Sequence, residues 1–187
     1  MNQDGKLYLS IRVNRDTQSP PQVVFTHVTV REWGTDKTRF EQEFPKASIR
    51  AWAFSPDSAF LLLAMGGSSV VTDAEGKVSL WDLTTGQERT LFMGHSKLVV
   101  AAGFTPDGRT LATASVDGTV KLWDPTTGQE RLTLRHEAGI PTSLAFTADG
   151  QNLIVSWSRA RNYPGWVMTI YPTAPQEDQR SDLHDAR

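Results

Sequence analysis

Leu80-Trp81-Asp82 returns as Leu122-Trp123-Asp124, 123 − 81 = 42 residues later. The six residues TTGQER at Thr84 to Arg89 return unchanged at Thr126 to Arg131 with the same offset. A second marker runs upstream as Phe54-Ser55-Pro56-Asp57, Phe104-Thr105-Pro106-Asp107 and Phe146-Thr147-Ala148-Asp149, spaced by 50 and then 42. The surplus in the first interval falls within Gly66 to Gly76. A unit of this length is one supersecondary piece that cannot bury its own apolar faces, so the chain must stack copies of it.

Within one period the residues read as strands. Val99 to Phe104 is a short apolar run, Thr105-Pro106-Asp107-Gly108 a turn, and Thr110 to Ala114 a second strand. Asp117-Gly118 is a tight-hairpin dipeptide, Thr119 to Trp123 alternates, Asp124 to Gly128 turns again, and Glu130 to Leu134 closes the unit. Gly, Pro and Asp recur too often to leave room for a helix. The expected fold is therefore all-β. Each sheet has two partly apolar faces, and radial stacking of such sheets gives a propeller.

The period, the pair Gly94-His95 and the Trp-Asp pairs together resemble the WD40 repeat β-propeller family. The resemblance spans roughly residues 5–172 and is closest over Gly94 to Leu134. It implies a partial propeller of about four four-stranded antiparallel blades, with both end blades incomplete. It also implies a structural tetrad on the third unit: His95, Thr113, Asp117 and Trp123, a buried chain from indole N–H to hydroxyl, imidazole and carboxylate. The same residues could be read as a Thr/His/Asp catalytic set. The structural reading is preferred, because buried polar groups need partners and the aligned role is structural. Unit two carries Pro45-Lys46 in place of Gly-His and Leu63 at the hydroxyl position. Unit four carries Val155 and Tyr171 at the hydroxyl and Trp positions, with His136 one residue out of register. Neither can complete the network.

The array is expected over residues 1–172, as blades at about 6–44, 46–92, 94–134 and 136–171, followed by a disordered tail over 173–187. Trp33, 81 − 33 = 48 residues before Trp81, is the expected Trp of unit one. Unit one is expected to lack its first strand and unit four its last. Open ends would expose two apolar sheet faces, met by a homodimer closing head to tail or by the remainder of a longer propeller chain. The expected core is Trp52, Phe54, Leu61, Leu63, Trp81, Phe104, Leu111, Leu122, Trp123, Leu144, Phe146 and Leu153, the in-phase apolar positions.

Composition narrows the function. A formal net charge of −2 gives no basic footprint for nucleic acid or an acidic membrane. The absence of cysteine removes zinc-thiolate sites, disulfides and a thiol nucleophile. No apolar run approaches the roughly 20 residues of a membrane span. No histidine pair has metal-ligand spacing, and there is no P-loop, nucleophile elbow or dinucleotide fingerprint. The expectation is a cytoplasmic protein without cofactor or metal, not an enzyme, that binds a protein or peptide partner. The alternative is a sensory or scaffolding fragment of a larger enzyme such as a kinase. A propeller hydrolase would need acids, histidines or metal ligands at the channel.

Three inserted loops, Asn14 to Gln22, Gly66 to Gly76 and Ser158 to Pro164, all join a second strand to a third and so share one end of the sheets. Insertions on one face point to a binding face, although loops also tolerate insertion anywhere. Arg159, Arg161, Asn162, Tyr163 and Trp166 form the candidate grip for a carboxylate, phosphate or peptide. The competing reading is a solvated loop anchored by a core Trp166. Arg50, on the opening strand of unit two, stands where units three and four have Val100 and Thr142. In the resembled family this stretch approaches the mouth of the central channel.

Overall fold

In the computed structural model, described here for residues 5–18, 22–67, 77–137, 139–159 and 166–173, every regular element is a strand. Blade one is β1 (Leu7–Arg15), β2 (Val23–Glu32) and β3 (Thr38–Pro45), paired in that order. Blade two is β4 (Ala47–Phe54), β5 (Phe60–Gly67), β6 (Lys77–Asp82) and β7 (Glu88–Phe92). Blade three is β8 (Val99–Phe104), β9 (Leu111–Ser115), β10 (Thr119–Trp123) and β11 (Glu130–Arg135). Blade four is β12 (Gly139–Phe146), β13 (Asn152–Arg159) and β14 (Trp166–Pro172). All pairings are antiparallel between chain neighbours. The chain is a four-sheet partial propeller.

The sheets stack in chain order through three apolar seams. Blades one and two share Val28, Val30, Phe40 and Phe44 against Leu61, Leu63 and Met65. Blades two and three share Leu62, Leu80 and Phe92 against Val99, Leu111 and Trp123. Blades three and four share Ala112, Val120 and Leu122 against Leu153, Val155 and Trp157. In the two middle blades alternate residues of the strands face the two flanking seams, as the two-residue period of a pleated strand requires. The opening strands β4, β8 and β12 lie side by side along the inner margin.

Two bulges recur from blade to blade. On the inner margin, pairing skips Arg50, Val100 and Thr142 in turn. On the outer strands it skips Arg39, Arg89 and Arg131. A bulge adds one unpaired residue and re-aims its side chain.

The outer bulge fixes the register of blade one and corrects the sequence reading. Trp81 pairs with Glu88 and Trp123 with Glu130, just before the bulge. The residue in that place in blade one is Arg31, paired with Thr38. The interval is thus 81 − 31 = 50, the same as that between Phe54 and Phe104. Trp33 falls in the following turn, 63% exposed, and stands edge-on to Tyr8.

The core list needs a second correction. Leu61, Leu63, Leu111, Leu122, Trp123 and Leu153 are buried, and Phe54, Trp81, Phe104, Leu144 and Phe146 are half-buried at the seams. Trp52 is 40% exposed. Its counterparts in blades three and four are Ala102 and Leu144, each packed against the apolar seam shared with the blade before. Blade one as described begins at β1 and offers no further strand to cover Trp52.

The two ends of the stack differ in chemistry, where two apolar faces were expected. Blade one turns Tyr8, Ser10, Arg12, His27, Arg31 and Glu41 outward, with His27 Nε2 2.9 Å from Glu41. Blade four turns Trp166, Met168 and Ile170 outward, all well exposed.

Candidate functional site

The polar set on blade three is positioned by its turns. Gly94, at φ +148°, leads the connector into His95. A side chain there would meet the Trp123 ring at 3.2 Å, so glycine is required by close approach as well as by backbone angle. The Asp117-Gly118 turn joins β9 to β10 with Gly118 at φ +84°, the geometry a tight hairpin demands.

His95, Thr113, Asp117 and Trp123 form one continuous chain. The Trp123 indole N–H donates to Thr113 Oγ1 at 2.7 Å. Thr113 in turn is 2.8 Å from His95 Nε2, and His95 Nδ1 is 2.9 Å from Asp117 Oδ2. With the hydroxyl donating to Nε2, the imidazole carries its proton on Nδ1 and donates to the carboxylate. Thr119 donates to Asp117 Oδ1, and the Ser96 amide donates to Oδ2.

Burial pushes the His95 pKa below its ordinary value, against the pull of Asp117. Burial works the other way on Asp117, but hydrogen bonds from Thr119 and His95 hold its carboxyl below the usual range. The result is a neutral imidazole capped by a carboxylate. The His95 side chain is only 1% exposed. The imidazole is therefore closed to solvent in this arrangement.

The neighbouring blades solve the same problem with residues that sequence reading missed. Where Thr113 is replaced by Leu63, the Trp81 indole N–H donates to Ser79 within its own strand at 2.9 Å. Where it is replaced by Val155, Trp157 fills the seam and donates to Thr169 at 2.7 Å. His136 stacks on that indole at 5.4 Å and is half-buried. Ser79 and Thr169 hold the same cross-strand position in their blades, opposite Leu63 and Val155. Two hydroxyls at one register position were the available signal. Among the described residues, no buried side-chain polar atom lacks a partner.

Of the candidate binding residues, Arg50, the Arg159 backbone and Trp166 lie at the end of the sheets that carries the second-to-third-strand connections. Arg50 is exposed on its bulge, with its Cγ 3.7 Å from where a Cβ on Gly66 would stand. Arg159 ends β13, its backbone paired with Gly139. Trp166 opens β14 opposite Ser158 and is 76% exposed, which removes the reading of it as a core anchor. Arg161, Asn162, Tyr163 and the Arg159 side chain lie outside the described residues, as do 19–21 and 68–76 in the other two loops. Arg50 belongs to blade two and Trp166 to blade four, so blade three separates them. Trp52, two residues from Arg50 and edge-on to Phe54 at 5.9 Å, is an exposed aromatic that the sequence assigned to the core.

Among the described residues there is no group of three acids or histidines able to hold a metal ion, and no helix long and apolar enough to cross a membrane. The family model of the WD domain, G-beta repeat (WD40), matches residues 86–124. A comparison with curated proteins gives no match. The matched segment straddles two blades, from the turn before β7 to the Trp123-Asp124 pair that ends β10. It contains the whole polar chain from His95 to Trp123, and it identifies that segment as a WD40 repeat.

Proposed function

We propose that this protein is a cytoplasmic, non-catalytic scaffold that binds a protein or peptide at the end carrying the inserted loops. WD40 domains generally serve as protein-interaction scaffolds, and the near-neutral charge favours a protein over a nucleic acid. The observation that carries the reading is the inner margin of blade two. A bulge pushes Arg50 into solvent, and Trp52 stands exposed two residues on. Arg and Trp are among the residue types most enriched at binding hot spots. On blade four the grip continues through Trp166 and the residues preceding it in sequence, Arg159, Arg161, Asn162 and Tyr163.

A pull-down with the intact chain, followed by titration of the partner against variants, tests the proposal. Arg50→Ala and Trp52→Ala should each weaken binding about tenfold or more, the effect of losing a hot-spot side chain. Arg161→Ala and Tyr163→Ala should weaken it more than substitutions in Thr84 to Arg89, which turn toward the opposite end. The reverse ranking would overturn the site. A hydrolase, kinase or phosphatase rate abolished by a single substitution would overturn the non-catalytic reading.

A further inference from the structure

The opposite end of the sheets holds a cleft of about 430 Å³ between blades two and three. Phe60, Leu80 and Phe104 line it, with Pro56 and Pro106 beside them. Its lips carry charge of both signs, Arg89 with Asp57 and Asp107.

Arg89 is set apart from its counterparts. All three outer-strand bulges place an arginine beside the acid of the preceding turn. Arg39 reaches Glu32 at 3.0 Å, and Arg131 reaches Asp124 at 2.7 Å. Arg131 also donates to Thr110 Oγ1 and to the Arg109 carbonyl, both at 3.0 Å. Arg89 stands 4.0 Å from Asp82. The cause is one residue. Phe60 occupies in blade two the place of Thr110 in blade three, as the matching turn bonds from Ser55 and Thr105 show. The exchange removes a hydroxyl acceptor and adds an apolar wall, leaving a guanidinium short of partners above an aromatic floor. Asp57 and Asp107 keep their turn roles, each accepting a hydroxyl and a backbone N–H on Oδ1.

The chain itself contains a segment of the complementary kind. Residues 174–187 carry one large apolar side chain, Leu183, with Asp182 and Asp185 close by and Arg180 and Arg187 flanking them. Thr173, the last residue before this segment, donates its hydroxyl to the Gly150 carbonyl at 2.6 Å. A Cβ on Gly150 would stand 3.2 Å from Pro106, which lines the cleft. The segment therefore leaves the array beside the wall of the cleft. Leu183 lies 183 − 173 = 10 residues on, a reach of roughly 33 Å when extended.

We propose that the cleft between blades two and three is a binding site for a short peptide carrying one apolar side chain between charges of both signs, and that its occupant is residues 180–187 of this chain. Leu183 enters between Phe60 and Phe104, an aspartate beside it meets Arg89, and the flanking arginines meet Asp57 and Asp107.

The protein has no cysteine, so Ser181→Cys gives the full-length chain a single attachment point for a nitroxide. The expected result is strong paramagnetic broadening of the amide signals of Asp57, Gly108 and Thr126, with Ser96 at the other end of the sheets untouched. Broadening at the three amides should fall severalfold with Leu183→Ala and with Arg89→Gln, and should not change on dilution. The Leu183 variant alters no residue of the four sheets, so it stays informative if Arg89→Gln perturbs folding. Absence of broadening, its persistence in Leu183→Ala, or its loss on dilution, which would mean a second copy supplies the segment, would each overturn the proposal.

Discussion

At the scale of single residues, the buried chain on blade three is a stability device with a pH dependence. Thr113 is its pivot, accepting from Trp123 and donating to His95. Thr113→Val keeps the volume and strands an indole donor and an imidazole acceptor in a dry seam. The expected loss is about 1–3 kcal/mol, the cost of leaving a buried polar group unmade, read from the midpoint of denaturant unfolding. His95 titrates below its ordinary value because burial opposes the imidazolium. The unfolded chain takes up that proton near pH 6.5 while the folded chain resists it, so the unfolded state binds more protons below that pH. Stability should therefore fall as pH drops through about 6.5, with a further fall below about 3.9 as Asp117 protonates more readily in the unfolded chain. His95→Gln should flatten the upper part of this profile in melts at stepped pH. The tetrad was legible from sequence because every member stands on a marked turn or strand. The substitutes in blades two and four were not, because a serine or threonine inside a strand carries no signal until the register brings it under an indole.

Among elements, turns and bulges decide more than strands do. The turn after each opening strand repeats one construction. The Ser or Thr before it and the Asp within it bond to each other, and a left-handed residue sits next to that Asp. Gly108 and Gly150 take the left-handed place at φ +70° and +72°, while blade two strains Ser58 into it at +61°. Gly108→Ala should cost about 1–2 kcal/mol, the left-handed penalty of a residue with a Cβ, in chemical denaturation. Ser58→Gly should recover part of that amount in blade two. Strand order and these turns follow from spacing alone. The bulges do not, because one extra residue in a strand leaves the alternation intact on either side of it. That is why Trp33 aligns so readily with Trp81 in sequence, although the outer bulge puts Arg31 in that place. Trp52 fails as a core position for a different reason: its burial depends on what the preceding blade supplies, which lies outside its own strand.

For the whole molecule, the seams set cooperativity and the end faces set colloidal behaviour. Each blade touches only its neighbours, so stability adds blade by blade and seam by seam. Met168 and Ile170 lie on an exposed apolar face, which favours non-specific association. Met168→Lys should lower the light scattering of concentrated solutions while leaving the unfolding midpoint nearly unchanged, as expected for a surface substitution.

The contrast between that face and the charged one on blade one gives the array a direction. Subunits with matched but different surfaces at their two ends add head to tail without limit, and such contacts grow into filaments unless rotation closes them. Here a copy placed behind another would press Arg12, Arg31 and Glu41 against Met168 and Ile170. Stripping water from those charges with no counter-ion opposite costs far more than the covered aliphatics return. Because a head-to-tail contact uses both faces at once, the mismatch disfavours the step that would otherwise grow into filaments.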